Sequence, residues 1–421
     1  MSEIMMERYA GALMHTFNPA KVFVKGQGTQ LYDSVGRSYT DFLSGLAVSA
    51  LGHCHPEVTE AVTKQLSKLD HISNLFASPT QIALAEQLVS LVAAHHVPKA
   101  PCGELTKGDG QVKPIDSILP QSARVTAKVF FGNSGAEANE AAFKLTRLTG
   151  RTRIIAMEGS FHGRTLGSLA ITSTPKYREP FEPLPGDVTF IPFGDVDALA
   201  AAVDESVAAV VLEPIQGENG VVVPSAGYLA AAREITEAHG ALLWVDEIQT
   251  GLGRCGEWLV SISEGVLPDI VTVAKGLGNG FPIGACIATG HVAEFFTPGA
   301  HGTTFGGNPV AAAAGLAVLN VLSRDGLIIK ANELGARLER KVLALDNPLI
   351  TGVRGRGLLR GIVLAEPVAV KTYQALLASG WIVNAPRESV IRVAPPLIVT
   401  PDEIDEFAAA LDRALRSVTH G

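Results

Sequence analysis

The chain reads A-L-L-W-V-D-E-I-Q-T-G-L-G-R from Ala241 to Arg254 and D-I-V-T-V-A-K-G-L-G-N-G from Asp269 to Gly280. Ala241–Val245 is a short apolar run, branched and aromatic enough to form a buried strand. It delivers Asp246 to the strand's C-terminal end, where open α/β sheets place their ligands. A second apolar run, Ile270–Ala274, delivers Lys275 in the same way, and Gly276, Gly278 and Gly280 follow at once. Glycines there let another group approach the lysine closely.

One chemistry uses both side chains. Burial disfavours the ammonium form of a lysine, and its neutral amine then condenses with an aldehyde. Pyridoxal 5'-phosphate (PLP) is the common aldehyde cofactor, and an acidic side chain facing its pyridine nitrogen keeps the ring protonated and electron-withdrawing. The alternative is plainer: Asp246 caps a helix and Lys275 lies on the surface.

The bulk properties fit an enzyme of this kind. A chain of 421 residues, 47% hydrophobic, can bury a large core and is expected to form two domains. Charged residues make up 18%, the net charge is −8 and the basic residues are scattered, so no nucleic-acid footprint is expected. The four cysteines lack C-x-x-C spacing, which argues against a disulfide framework or a zinc site. Glu3 and Glu7 with no apolar core argue against a secretory leader, and Pro309–Leu322 is too short to span a bilayer. The expectation is a cytoplasmic enzyme with no bound metal.

Other stretches add candidates. Residues 21–42 alternate as a hairpin with a turn at Asp33–Gly36. His53-Cys54-His55-Pro56 reads as a turn before a helix over Glu57–Leu69 rather than as a metal site. A helix is expected over 80–96, then a long Pro/Gly/Lys-rich surface loop over Val97–Arg124. The strand Val129–Phe131 leads through G-N-S-G-A-E-A-N-E into a helix at Ala136–Leu148. Ser134, Gly135 and Ala136 stand where backbone N–H groups bind phosphate, although an ordinary helix cap reads the same way. After the strand Ile154–Met157, Phe161 is placed to stack on a heteroaromatic ring and Arg164 to grip a carboxylate. Core packing and a surface ion pair are their plainer roles, and His162 reads as scaffold. Strand Ala208–Leu212 ends at Glu213, with Glu218 beyond it as a residue that binds or gates a basic group. Helix Tyr228–His239 leads to the Asp246 strand. Beyond Lys275 come a strand at Ile283–Ala288, hydroxyls at Thr303 and Thr304 that serve as caps or ligands, a helix at Gly326–Leu345 and a glycine-punctuated strand region at Val353–Ala365. A helix at Val370–Ser379, a strand at Ile391–Val393 carrying Arg392, and a final helix after T-P-D-E complete the chain.

The motifs L-Y-D-S-V-G-R-S-Y-T-D-F, L-G-H-C-H-P, N-S-G-A-E-A-N-E, G-S-F-H-G-R-T, V-D-E-I-Q-T-G-L-G-R, A-K-G-L-G-N-G and G-T-T-F-G-G-N-P occur in this order. Together they resemble the class III, fold-type I PLP-dependent aminotransferases, and within them the acetylornithine aminotransferases, over about residues 15–415. The resemblance implies an α/β fold: a large domain with a mostly parallel seven-stranded sheet, and a small α+β C-terminal domain. The expected divisions are an arm at 1–50, a PLP-binding domain at 51–310 and a small domain at 311–421.

The same resemblance implies roles. Lys275 carries PLP and shuttles the proton, Asp246 pairs with the pyridine nitrogen, and Gln249 lies near the phenolic oxygen. Phe161 and Ile248 flank the ring, with Glu247 in the same cofactor-binding group. Ser134, Gly135 and Ala136 hold the phosphate, and Thr304 reaches it from the other subunit of a homodimer. Arg164 and Thr303 meet the amino donor, while Arg392 takes the α-carboxylate of glutamate or 2-oxoglutarate. The related pattern Q-G-E-G-G stands here as Gln216-Gly217-Glu218-Asn219-Gly220, which alters the surroundings of the gating residue Glu218. Transfer of the δ-amino group of N-acetylornithine to 2-oxoglutarate, a step of arginine biosynthesis, is the first expectation. Other ω-aminotransferases acting on ornithine, succinylornithine, succinyldiaminopimelate or 4-aminobutyrate come second. A PLP-dependent aminomutase or racemase, distinguished by its failure to consume 2-oxoglutarate, and a non-catalytic scaffold follow.

Overall fold

The computed structural model describes residues 2–93 and 126–419; the stretch Val97–Arg124 falls outside them. Near the N-terminus, β1 (Phe23–Gln27), β2 (Gln30–Asp33) and β3 (Ser38–Asp41) form an antiparallel meander, one strand more than the expected hairpin. The Asp33–Gly36 turn joins β2 to β3, because Asp33 accepts the Val35 and Arg37 amides at 3.0 Å each. His53 is paired through Nε2 with Asp41 Oδ2 at 2.8 Å, and His55 precedes the helix Pro56–Leu66. The next helix is Pro79–Ala93, so the end expected at 94–96 falls outside the described residues.

The central sheet uses β4 (Ala127–Gly132), β5 (Arg153–Met157), β6 (Asp187–Ile191), β7 (Val207–Leu212), β8 (Leu242–Asp246), β9 (Ile270–Val273) and β10 (Gly284–Thr289). Their order is β4-β10-β9-β8-β7-β5-β6. Only β10 is reversed, being antiparallel to both β4 and β9. This is the mostly parallel seven-stranded sheet expected from the sequence; β6 is the strand that pattern reading does not find.

Strand alternation builds the two faces. Ile154, Ala156, Val211 and Trp244 pack on one side with Ala141, Ala142 and Phe143 of the helix Gly135–Arg147. Ile155, Met157, Val210, Leu243 and Val245 pack on the other with the helix Tyr228–His239. Both faces being covered, the strands are apolar throughout, as parallel strands of layered α/β folds are.

The remaining strands are β11 (Ile350–Arg356), β12 (Leu359–Leu364), β13 (Trp381–Ile382), β14 (Asn384–Arg387) and β15 (Val390–Val393). Four of them make a sheet of order β11-β12-β15-β14, while β13 joins the first sheet parallel to β3. The last helix, Pro401–Thr419, opens with a capping box: Thr400 Oγ1 accepts the Glu403 amide at 3.2 Å, and Glu403 Oε2 accepts the Thr400 amide at 2.8 Å. Arg254 ties the central sheet to this C-terminal part. It is 3% exposed and donates through Nη1 to the Leu358 and Pro395 carbonyls. No single helix among the described residues is long and apolar enough to cross a membrane.

Candidate active site

Five parallel strands empty onto one edge of the sheet. Their C-terminal ends bring together Ser134 after β4, Phe161 and His162 after β5, Glu213 after β7, Asp246 closing β8 and Lys275 after β9. In such sheets this edge is where ligands bind.

Asp246 is 4% exposed and accepts three hydrogen bonds, which leaves room on its carboxylate for one more donor. Its Oδ2 accepts from His162 Nδ1 at 2.7 Å and from Asn139 Nδ2 at 2.8 Å, and its Oδ1 accepts the Ile248 amide at 3.0 Å. Asn139 Nδ2 also donates to the His162 carbonyl at 2.7 Å, so the three side chains hold one another. Burial pulls the His162 pKa down, but the hydrogen bond and charge of Asp246, with Glu213 adding, outweigh it and leave the imidazole above its ordinary value. Glu213 is buried beside this cluster and accepts the Phe161 amide at 3.1 Å; burial, with Asp246 adding, pushes its carboxyl up to about 7.

Ala274 leaves β9 at φ −163°, and Lys275 turns at φ +46°, a left-handed conformation that a lysine adopts only when its surroundings impose it. The surroundings do so. Asn279 Oδ1 accepts the Leu51 amide at 2.7 Å and its Nδ2 donates to the Gly52 carbonyl at 3.0 Å, tying the glycine-rich turn to the segment after β3. Lys275 is half-buried, and among the described residues its amine has no hydrogen-bond partner. Loss of hydration, opposed by the Glu218 carboxylate, holds its pKa below the ordinary lysine value.

The candidate phosphate site begins the helix Gly135–Arg147. Ser134 caps it, its Oγ accepting the Glu137 amide at 3.2 Å. Ile248 reaches so close to Gly135 that a Cβ there would lie 2.8 Å from Ile248 Cδ1. A side chain at this position would push Ile248 aside where the helix start meets the Asp246 turn. A lysine held below its ordinary pKa, an anchored carboxylate and the amides of Gly135 and Ala136 at a helix start are what a phosphate-bearing pyridine aldehyde needs, and these residues fit one.

A second cluster faces Lys275. Arg392, 1% exposed, donates through Nη1 to Glu218 Oε1 at 2.6 Å and to Gln249 Oε1 at 3.3 Å, and through Nε to Asn384 Oδ1 at 3.0 Å. Among the described residues its buried Nη2 has no partner. Burial would raise the Glu218 carboxyl, but Arg392 and Lys275 outweigh it and hold it below the usual carboxylate value.

Other expected residues lie further out. Arg164 is exposed, with its guanidinium carbon 3.5 Å from the Tyr177 ring centroid and 5.7 Å from that of Phe161. Thr303 Oγ1 accepts the Gly306 amide at 3.2 Å, whereas Thr304 is exposed. Glu247 differs from the rest of its motif: its carboxylate accepts from Thr250 Oγ1 at 2.6 Å, the Ser261 amide at 2.7 Å and Ser261 Oγ at 2.9 Å. Its side chain is thus occupied in bracing the turn after β8.

Sequence reading does not single out Asn139, and it leaves His162 as scaffold. The available signal is a polar residue on a helix whose neighbours Ala138, Ala141 and Ala142 are small and buried. A buried amide needs a partner, but only the fold reveals that Asp246 is that partner.

A family model described as aminotransferase class-III matches residues 14–415. The acetylornithine aminotransferase of Mycobacterium tuberculosis strain ATCC 25618 / H37Rv is 52% identical over 412 residues, covering 98% of this chain and 96% of that protein. Among solved structures, an acetylornithine aminotransferase from Elizabethkingia anophelis aligns with TM-score 0.82 and 31% identity, covering 99% of each chain. An ornithine aminotransferase from Toxoplasma gondii, described with partial occupancy of PLP at its active site, aligns with TM-score 0.87 and 30% identity, covering 100% of this chain and 96% of that one. With its length matched almost end to end and its sheet edge carrying the lysine and aspartate, the chain belongs to the class III aminotransferases.

Proposed function

We propose that this enzyme binds PLP and transfers the δ-amino group of N-acetylornithine to 2-oxoglutarate, yielding N-acetylglutamate semialdehyde and glutamate as a step of arginine biosynthesis. The full-length likeness to an acetylornithine aminotransferase at 52% identity supports the substrate. The observation that carries the chemistry is Lys275, half-buried and without a hydrogen-bond partner among the described residues, with the Glu218–Arg392 pair at 2.6 Å facing it.

PLP, when bound, supplies an aldehyde for primary amines and a ring that draws electrons from the carbon losing its proton. Lys275 Nζ, its pKa lowered by loss of hydration, would carry that proton from the reacting carbon to the carbon on the other side of the transferred nitrogen. Asp246 would hold a proton on the ring nitrogen, and His162 with Asn139 keeps its carboxylate aimed. Ser134, Gly135 and Ala136 bind the phosphate. Phe161 and Ile248 flank the ring, with Gln249 beside it. Arg164 and Thr303 orient the acylated donor. Arg392 receives the α-carboxylate of 2-oxoglutarate once Glu218 has withdrawn, so Glu218 serves as the gate between the two half-reactions.

The proposal includes a homodimer in a cytoplasmic setting, Thr304 of one copy reaching the phosphate of the other; its exposure in the single chain is consistent with that. It also keeps the division into an arm at 1–50, a large domain at 51–310 and a small domain at 311–421. Titrating the PLP-loaded protein with N-acetylornithine tests the reading: the visible band of the lysine-bound cofactor should bleach, and return with 2-oxoglutarate. Bleaching only by ornithine or 4-aminobutyrate would move the substrate within the class; no bleaching by any amine would remove the role of Lys275.

A further inference from the structure

Three consecutive residues of one loop are each held by an arginine of the C-terminal sheet. Arg392 on β15 holds Glu218. Arg387 on β14 donates to Asn219 Oδ1 twice, through Nε at 3.1 Å and Nη2 at 2.8 Å. Arg354 on β11 donates through Nε to the Gly220 carbonyl at 2.8 Å. The other end of the Asn219 amide is used as well: Nδ2 donates to Gln216 Oε1 at 2.8 Å, and Gln216 Nε2 donates to the Glu158 carbonyl at 2.9 Å. On the near side of Glu218, Gly217 lies against Gln249 so closely that a Cβ would fall 1.4 Å from its Oε1. The Glu218 backbone is therefore packed against Gln249 at Gly217 and held to Arg387 through Asn219.

These contacts bear on the gate. While Glu218 occupies Arg392, an incoming carboxylate meets a negative charge at the guanidinium it needs. Its apparent affinity is then reduced by the fraction of molecules in which Glu218 has moved away. Bonds that hold the loop in the paired arrangement lower that fraction. We infer that Asn219 and Arg387 form a positioning brace that keeps Glu218 on Arg392 and so sets how readily the site admits a dicarboxylate. This rests on the reading of Arg392 and Glu218 given above. The brace spans two parts of the fold, the loop after β7 and the end of β14, and neither of its members touches the reacting atoms.

Glutarate, a dicarboxylate with neither amine nor keto group, reports on opening without reaction. Its dissociation constant is measured by calorimetry on the PLP-loaded wild type and on Asn219→Gly, Arg387→Ala, the double variant and Arg392→Gln. Losing two charge-assisted bonds at a half-exposed site should tighten glutarate about threefold to tenfold in either single variant. The double variant should equal Asn219→Gly, because both changes remove the same contact. The KM for 2-oxoglutarate should fall by the same factor with little change in kcat, a split that general loosening of the fold would not produce. Glutarate binding that needs Arg392 but is equal or weaker in Asn219→Gly and Arg387→Ala overturns the brace alone. Glutarate binding unaffected by Arg392→Gln overturns the reading of Arg392 and the brace with it.

Discussion

Replacing Glu213 with glutamine should leave the fold intact and change how its stability depends on pH. Glu213 is 6% exposed, and its carboxyl is raised from 4.5 to about 7, first by burial and also by the charge of Asp246. A native pKa above the unfolded one means that the native state holds the extra proton between pH 4.5 and 7. Wild-type stability contributed by this group is therefore complete below about pH 4.5 and lost as the pH rises through about 7. A shift of 2.5 units (7 minus 4.5) at roughly 1.4 kcal/mol per unit amounts to about 3 kcal/mol at pH 8. The side-chain amide introduced by Glu213→Gln still offers an oxygen to the Phe161 N–H and never ionises, so the variant should avoid this loss. The assay is differential scanning calorimetry of wild type and Glu213→Gln at pH 5 and pH 8, with cofactor at fixed concentration. For a chain of this length, 1 kcal/mol corresponds to roughly 1–4 °C, so the variant should gain several degrees on wild type at pH 8 and little at pH 5. His162, whose pKa is raised in the same direction partly by Glu213, loses that contribution in the variant, so the measured difference reports the Glu213–His162 pair. Equal midpoint differences at the two pH values would refute the argument that Glu213 carries its proton for electrostatic reasons.

Lys275→Ala should cut transamination by at least about 10³-fold, since it removes both the amine and the proton carrier, while circular dichroism stays that of the wild type; substantial residual turnover would defeat the assignment. Arg254→Met should strand the buried Leu358 and Pro395 carbonyls, at about 1–3 kcal/mol each. Urea denaturation followed by fluorescence should show an earlier midpoint; an unchanged midpoint would mean that water replaces the guanidinium.

Legibility in the sequence differs from residue to residue. Asp246 and Lys275 stand out because strand ends are local events: an apolar run ends, and a charged residue follows. The structure shifts β8 by one residue and ends β9 one residue early at Val273, yet both side chains stay at the ends of their strands. β6 escapes notice because D-V-T-F-I is short and only its last residue, Ile191, is buried. The N-terminal hairpin becomes a meander joined by β13 from beyond residue 380, a pairing no local pattern encodes.

The sequence by itself determined the parallel α/β sheet, the lysine and aspartate at its edge, the capped helix before them and the family, because periodicity, turn chemistry and motif order are written along the chain. Tertiary structure alone decided who meets whom. It set Asn139 and His162 on Asp246, turned the Glu247 carboxylate into Thr250 and Ser261, and brought Arg354, Arg387 and Arg392 to three successive residues of one loop. Hydrogen bonds and ion pairs between residues far apart along the chain depend on distance in space, and that distance exists only once the apolar faces have packed.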